Sequence, residues 1–384
     1  MTLPAPPAPP APRGSAAQSV AGGRAPRLPD FPWDRLLSHK AQASRHRDGL
    51  VDLSVGTPVD PTPARVQEAL RAASDAPGYP TVWGTPALRA AIIGYLRRRC
   101  RSVDLTEDGV LATIGSKELV ASLPAQLGVG AAQTVLIPAV AYPTYAVGAL
   151  LAGAAYVASD ATSSVGPADV PLVWINSPAN PTGRVLPVEH LRKVVTWARE
   201  RGAVVASDEC YFEFGWEATP VSVLDPEVNG GSLDSILAVH SLSKRSNLAG
   251  YRAAFVAGDP VLVSALREVR RHSGLMVPAP VQAAMTAALE DDDHIEVQRQ
   301  RYQQRRGLLR EALGRVGFWI EHSEASLYLW ATRGEPCMET VGWLAERGIL
   351  VAPGDFYGPA GAHHVRVALT VTDERVASAV ARLH

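Results

Sequence analysis

Between residues 50 and 258 one pattern repeats: a short apolar, β-branched run, a break at Gly, Pro, Asn or Asp, then a helical stretch. The runs fall at 110–114, 134–137, 171–175, 203–207, 235–240 and 252–257. Most are near-continuously apolar instead of alternating, as strands covered on both faces must be. Helical periodicity lies between them. Leu88, Ile92 and Leu96 share one stripe over 86–100, with Thr85 placed as N-cap and Pro86 at the first helical position. Leu191, Val194, Val195 and Ala198 form another over 188–202. Such alternation predicts an α/β domain built on a mostly parallel sheet.

After residue 294 the pattern changes. A long Arg- and Gln-rich helix is predicted over 295–316, then strands at 318–321, 327–331, 349–352 and 365–369, with a helix at 339–347. The expected division is a large domain at 51–294 and a smaller α+β domain at 295–384, with 30–50 packed on the smaller one. Residues 1–29 hold eight prolines and seven alanines with no acid. Closely spaced prolines break any amphipathic leader helix, so a disordered tail is expected there.

The chain, with 47% hydrophobic and 20% charged residues and a net charge of −1, gives nucleic acid or an anionic membrane nothing to attract. Arg97–Arg99 and Arg305–Arg306 are read as solvated helix faces. Cys100, Cys210 and Cys337 form no CxxC pair, so neither a disulfide framework nor a zinc site is expected, and a reducing, cytoplasmic setting fits. No metal site is predicted.

In wound α/β sheets, ligand groups gather where strands end. After 110–114 comes Gly115-Ser116-Lys117, a glycine turn into a helix whose free N–H groups suit a phosphate. After 171–175 comes Asn176-Ser-Pro-Ala-Asn180-Pro-Thr-Gly183. After 203–207 comes Asp208-Glu-Cys-Tyr211, and a buried strand-end aspartate needs a positive partner. After 235–240 comes Ser241-Leu-Ser-Lys244, with Arg252 beyond it. Two hydroxyls, an amine and a guanidinium together suit a phosphate-bearing ligand that meets an amine.

The string Ser241-Leu-Ser-Lys-Arg-Ser-Asn-Leu-Ala-Gly-Tyr-Arg252 resembles the lysine motif of class I/II, fold-type I pyridoxal-phosphate aminotransferases. Asn180-Pro-Thr-Gly183, Asp208-Glu-Cys-Tyr211, Tyr79-Pro-Thr-Val-Trp-Gly84 and Val365-Arg-Val-Ala-Leu369 match further motifs of that family in order. The resemblance implies pyridoxal 5'-phosphate as cofactor, held by Lys244 as a Schiff base. Lys244 would later move the Cα proton, so its amine must be neutral for part of the cycle. Asp208 would pair with the pyridine nitrogen. Tyr211 and Asn180 would bond the phenolic oxygen, and Tyr142 would stack on the ring. Gly115, Ser116, Lys117, Ser241 and Arg252 would hold the phosphate. Arg366, helped by the Gly56 backbone, would clamp the substrate carboxylate, with Asn180 alongside. Tyr79 would reach the neighbouring subunit's phosphate, which implies a homodimer.

Fold-type I hosts several chemistries, so these motifs leave the reaction open. Asp52-Leu-Ser-Val-Gly-Thr-Pro-Val-Asp60, Ala141-Tyr-Pro-Thr-Tyr145, Leu327-Tyr-Leu-Trp330 and Val351-Ala-Pro-Gly-Asp-Phe-Tyr-Gly358 look like the N-succinyldiaminopimelate aminotransferases of lysine and cell-wall synthesis. That implies amino transfer between glutamate/2-oxoglutarate and N-succinyl-LL-2,6-diaminopimelate/N-succinyl-2-amino-6-oxopimelate. A transaminase for another amino acid and a carbon–sulfur lyase are the alternatives. A different class of reading is an effector-sensing regulatory domain. It would carry a helix-turn-helix unit ahead of the fold, for which 29 proline-rich residues are too few.

Overall fold

The computed structural model describes residues 28–102 and 104–383, so the tail expected at 1–29 lies outside it except for its last two residues. Strand β1 is Val51–Asp52. Seven strands follow: β2 (Val110–Ile114), β3 (Thr134–Ile137), β4 (Ala155–Ala158), β5 (Leu172–Asn176), β6 (Val204–Asp208), β7 (Ile236–Ser241) and β8 (Ala253–Gly258). They form one sheet in the order β2-β8-β7-β6-β5-β3-β4. Pairs among β3 to β7 are parallel, while β8 runs against both β2 and β7.

Apolar residues on both faces explain the continuous runs. Val173, Ile175, Val205, Ile236, Ala238 and Phe255 pack on one side, under the helix Val188–Glu200 and the helix Pro86–Cys100. Leu172, Trp174, Ala206, Leu237, Val239 and Val256 pack on the other, under the helices Ser116–Gln126 and Thr144–Leu151. Thr85 caps Pro86–Cys100 as the sequence predicts, accepting from the Leu88 N–H. The edge strand β4 has no counterpart in the sequence reading. Ala155-Tyr-Val-Ala is short, exposed and poor in β-branched residues, so no burial pattern betrays it.

The later strands are β9 (Trp319–Glu321), β10 (Tyr328–Thr332), β11 (Ile349–Leu350), β12 (Ala352–Pro353) and β13 (His364–Ala368). Four of them make a sheet ordered β12-β13-β10-β9, whereas β11 pairs in parallel with β1. The single strand expected at 349–352 is therefore two, because Val351 separates pairing with Val51–Asp52 from pairing with β13. A separate apolar core holds Trp330, Val341, Leu344 and Val367 together with Leu36, Val51 and Leu53. We propose the two-domain division on the strength of these separate cores, with 30–50 joined to the smaller unit through Leu36 and the helix Leu37–Ala43, which packs on Cys337–Glu346. Val51 and Leu53, expected in the larger domain, pack in the smaller unit's core because β1 pairs with β11.

Arg305 and Arg306, on the long helix Asp293–Arg315, are buried, against the solvated face expected of them. Arg305 grips Asp60 in a two-pronged pair, with both N–O distances at 2.7 Å, and reaches Asp373 at 2.6 Å. Three distant segments are tied at that one guanidinium, and the pairing holds the Asp60 carboxyl below its ordinary range despite the opposing effect of burial. Arg305→Ala should lower the unfolding free energy by about 3 kcal/mol, because Asp60 loses its ion-pair partner and keeps only the neutral donor Gln298 at 2.8 Å. Denaturant melts measure this, and a change under about 1 kcal/mol, the size of an exposed pair, would refute it. Arg97, Arg98 and Arg99 are exposed as expected. No helix among the described residues is long and apolar enough to cross a membrane.

Candidate active site

The sheet topology brings the strand ends together. Asn176 pairs with Asp208, Ile114 with Ala253 and Ser241 with Ala254. Because β8 is reversed, its first residues lie at the edge where its neighbours finish, which is how Arg252 meets Gly115. Gly115 has φ of 80°, and any Cβ there would run into the Arg252 guanidinium. Only glycine leaves that space open. Arg252 itself is left-handed, with φ of 55°, and is braced by Nη1 donating to Ala249 O at 2.8 Å. Ser116 is half-buried at the helix start, Lys117 is exposed, and buried Ser241 caps the short helix Leu242–Arg245 by accepting from Ser243 N.

Asp208 ends β6 and is 6% exposed. Its carboxylate accepts from the Tyr145 hydroxyl at 2.8 Å and from Cys210 N at 3.1 Å. Burial nonetheless pushes its pKa up, since two neutral donors do not replace water around a full charge. A cation placed against it would reverse that direction. Tyr145 stacks on Trp174 at 4.9 Å, which fixes the donor in place. Tyr142 stands edge-on to Tyr145, and burial pushes its phenol up to about 12.

Lys244 Nζ donates to the Gly56 carbonyl. Burial holds this amine below the usual lysine range, and Arg366 and Arg252 push the same way while Tyr328 opposes them. Tyr211 is buried with its hydroxyl 2.9 Å from that of Tyr328. Arg366, 3% exposed on β13, donates from Nη1 to Asn180 Oδ1 at 2.8 Å and from Nη2 to Ser54 O at 2.6 Å. The backbone carbonyl beside Arg366 is thus that of Ser54, while Gly56 faces Lys244. Arg366 Nε has no hydrogen-bond partner among the described residues, although the guanidinium lies 4.1 Å from the Tyr328 ring centroid and 5.1 Å from that of Tyr357.

The sequence reading missed Tyr328 and Ser54 as neighbours of these groups. The Tyr142-Pro-Thr-Tyr145 string offers Tyr145 as an alternative to Tyr142 on the ring, and the structure turns its hydroxyl to Asp208. Tyr328 and Ser54 come from segments that only tertiary packing brings near. His240, at the end of β7, packs by stacking on Phe255 and faces the Glu209 carboxylate at 3.1 Å. Tyr79 stands apart from the cluster, 97% exposed.

The pattern of aminotransferase class I and II matches residues 48–383. The chain belongs to that family. A probable aminotransferase of Mycobacterium tuberculosis is 60% identical over 96% of this chain and 88% of its own. The 4-dedimethylamino-4-oxo-anhydrotetracycline transaminase OxyQ of Streptomyces rimosus is 58% identical over 93% of this chain and 99% of its own. Among solved structures, a probable N-succinyldiaminopimelate aminotransferase from Thermus thermophilus superposes with a TM-score of 0.82 at 27% identity, covering 92% of this chain and 99% of that one. Aminotransferases of this class depend on pyridoxal phosphate. The residues present fit it: a glycine cradle beside Arg252 for a phosphate, a buried carboxylate with no ion-pair partner among the described residues, and a lysine amine that burial holds below its usual range.

Proposed function

We propose that this aminotransferase moves the amino group of glutamate to N-succinyl-2-amino-6-oxopimelate, reversibly, giving N-succinyl-LL-2,6-diaminopimelate and 2-oxoglutarate. One observation carries the amino-transfer reading: the Asp208 carboxylate and the Arg366 guanidinium are buried, and the half-buried Lys244 places its amine where Arg366 acts on it and beyond the strand next to the one that Asp208 ends. Charges are buried together only where they meet partners. Likeness of residues 52–60, 141–145, 327–330 and 351–358 to the succinyldiaminopimelate enzymes supports the acceptor, as does the Thermus structure.

Lys244 would hold pyridoxal phosphate covalently, and Arg252, Ser241 and the 115–117 turn would hold its phosphate. Asp208 would keep the ring nitrogen charged, Tyr211 and Asn180 would face the phenolic oxygen, and Tyr142 would cover the ring. When bound, the cofactor supplies an electron sink for the pair left by breaking the substrate Cα–H bond. Lys244, whose amine burial holds below the usual lysine range, takes and returns that Cα proton. Arg366 fixes the substrate carboxylate in both position and rotation, which a point charge cannot do. All three cysteines are free, which supports a reducing, cytoplasmic setting.

A donor and acceptor screen of the purified enzyme tests the substrate. Glutamate with the succinylated keto acid should be the pair with the largest kcat/KM. A second reading is favoured by the 58% identity to OxyQ, a transaminase named for an oxo-anhydrotetracycline. Preference for that acceptor would replace the first reading, and release of a keto acid with no acceptor present would favour a lyase.

Arg366→Lys should leave cofactor binding intact and weaken both half-reactions by roughly 2–5 kcal/mol, because both substrates share the α-carboxylate. Loss with one substrate only would move Arg366 to side-chain recognition. A homodimer with shared sites is supported by the 97% exposure of Tyr79, an aromatic that the described residues of its own chain leave uncovered. Mixing Tyr79→Ala chains with Lys244→Ala chains should regenerate activity in the hybrids. Hybrids that form but gain nothing would remove Tyr79 from a partner's site.

A further inference from the structure

We infer that Tyr328 is a positioning residue that couples the cofactor end of the site to its carboxylate end, an inference resting on the amino-transfer reading above. Its hydroxyl lies 2.9 Å from that of Tyr211. Its ring carries the Arg366 guanidinium 4.1 Å from the centroid. A Cβ at residue 56 would run into its hydroxyl, so the backbone of Gly56, whose carbonyl accepts from Lys244, is seated directly against it. Three groups with separate proposed tasks therefore rest on one side chain, which β10 places beside β13 with Trp330 opposite Arg366.

The two parts of this side chain do different things. Either hydroxyl of this pair can donate; with the cofactor oxygen taking the Tyr211 proton, the Tyr328 hydroxyl is the one that donates to Tyr211, which makes Tyr211 a stronger donor. The ring face offers a buried guanidinium its electrostatic partner, where Nε has no hydrogen bond among the described residues. Removing the hydroxyl and removing the ring should thus give separable defects.

The test uses the holoenzyme and three forms: wild type, Tyr328→Phe and Tyr328→Met. Borohydride reduction and peptide mapping first place the pyridoxyl group on Lys244. A label on another lysine sinks the underlying reading, independently of Tyr328. The pH titration of the bound chromophore then reads the hydroxyl. With Tyr211 a weaker donor, less charge is drawn from the cofactor oxygen and the Lys244 linkage keeps its proton to higher pH. Tyr328→Phe should raise the midpoint by about half a pH unit or more while leaving the KM for glutamate within about twofold, since its ring still faces the cation. Tyr328→Met should also raise that KM about tenfold, since the cation has lost the nearer of its two aromatic faces and keeps only Tyr357. An unchanged or lowered midpoint in Tyr328→Phe overturns the hydroxyl's role. A KM equal in the two variants overturns the ring's role. Should Tyr328→Met not fold, Tyr328→Leu takes its place, and the isosteric Tyr328→Phe arm decides the hydroxyl alone.

Discussion

Lys244→Ala is expected to leave a folded protein with at least about four powers of ten less turnover. Proton transfer by a positioned base is worth about 10²–10⁴ in rate, and the covalent anchor is lost as well. The fold should tolerate the change. The amine is disfavoured in its charged form by burial, and the hydrogen bond it gives goes to one carbonyl, that of Gly56. Far-UV circular dichroism and thermal melts should therefore match wild type while kcat collapses. Retention of about a tenth of the wild-type turnover would remove Lys244 from the chemistry, since a lost base alone costs more.

Asp208→Asn should be the next most damaging change. The amide is close in shape: its oxygen can still accept from Cys210 N, and the Tyr145 hydroxyl, which can accept as well as donate, can take a hydrogen bond from the amide nitrogen, so the hydrogen-bond frame survives. What disappears is the charge. A buried cation whose partner is removed is destabilised by about 3–5 kcal/mol, which as a barrier is between about a hundredfold and several thousandfold in rate. The ring nitrogen would then lose its proton instead of bearing that cost, and the electron sink would weaken. Steady-state kinetics of the folded variant, alongside its cofactor occupancy, check this. Near wild-type kcat at full occupancy would reject the role.

Much of this site was legible because parallel strands leave a strong trace. Runs buried on both faces are continuous, so the strand ends at Ile114, Asn176, Asp208 and Ser241 could be found to within a residue, and the residues just beyond them could be read as ligands. Arg366 was legible for a related reason, since Val365 and Val367 enter the core and turn it to the other face. The rest depended on contacts that local pattern does not encode. Tyr328 meets Tyr211 across more than a hundred residues, and Arg305, in a stretch that reads as solvated, is buried because Asp60 and Asp373 arrive from elsewhere. Edge strand β4 escaped because an exposed edge and a few alanines give periodicity nothing to detect.

The reversed strand β8 carries a consequence for synthesis of the chain. Among the described residues β2 has no neighbour in the sheet other than β8, yet 144 residues separate the end of one from the end of the other (258 − 114). At ribosomal speeds that interval is on the order of ten seconds. Throughout it, β2 and later β7 each present an apolar edge with unpaired N–H and C=O groups, a template for any other extended segment nearby. Nascent chains of this protein should accordingly be most dependent on chaperone cover while residues 114–258 emerge, and stalling within that window should yield aggregates where stalling after it does not.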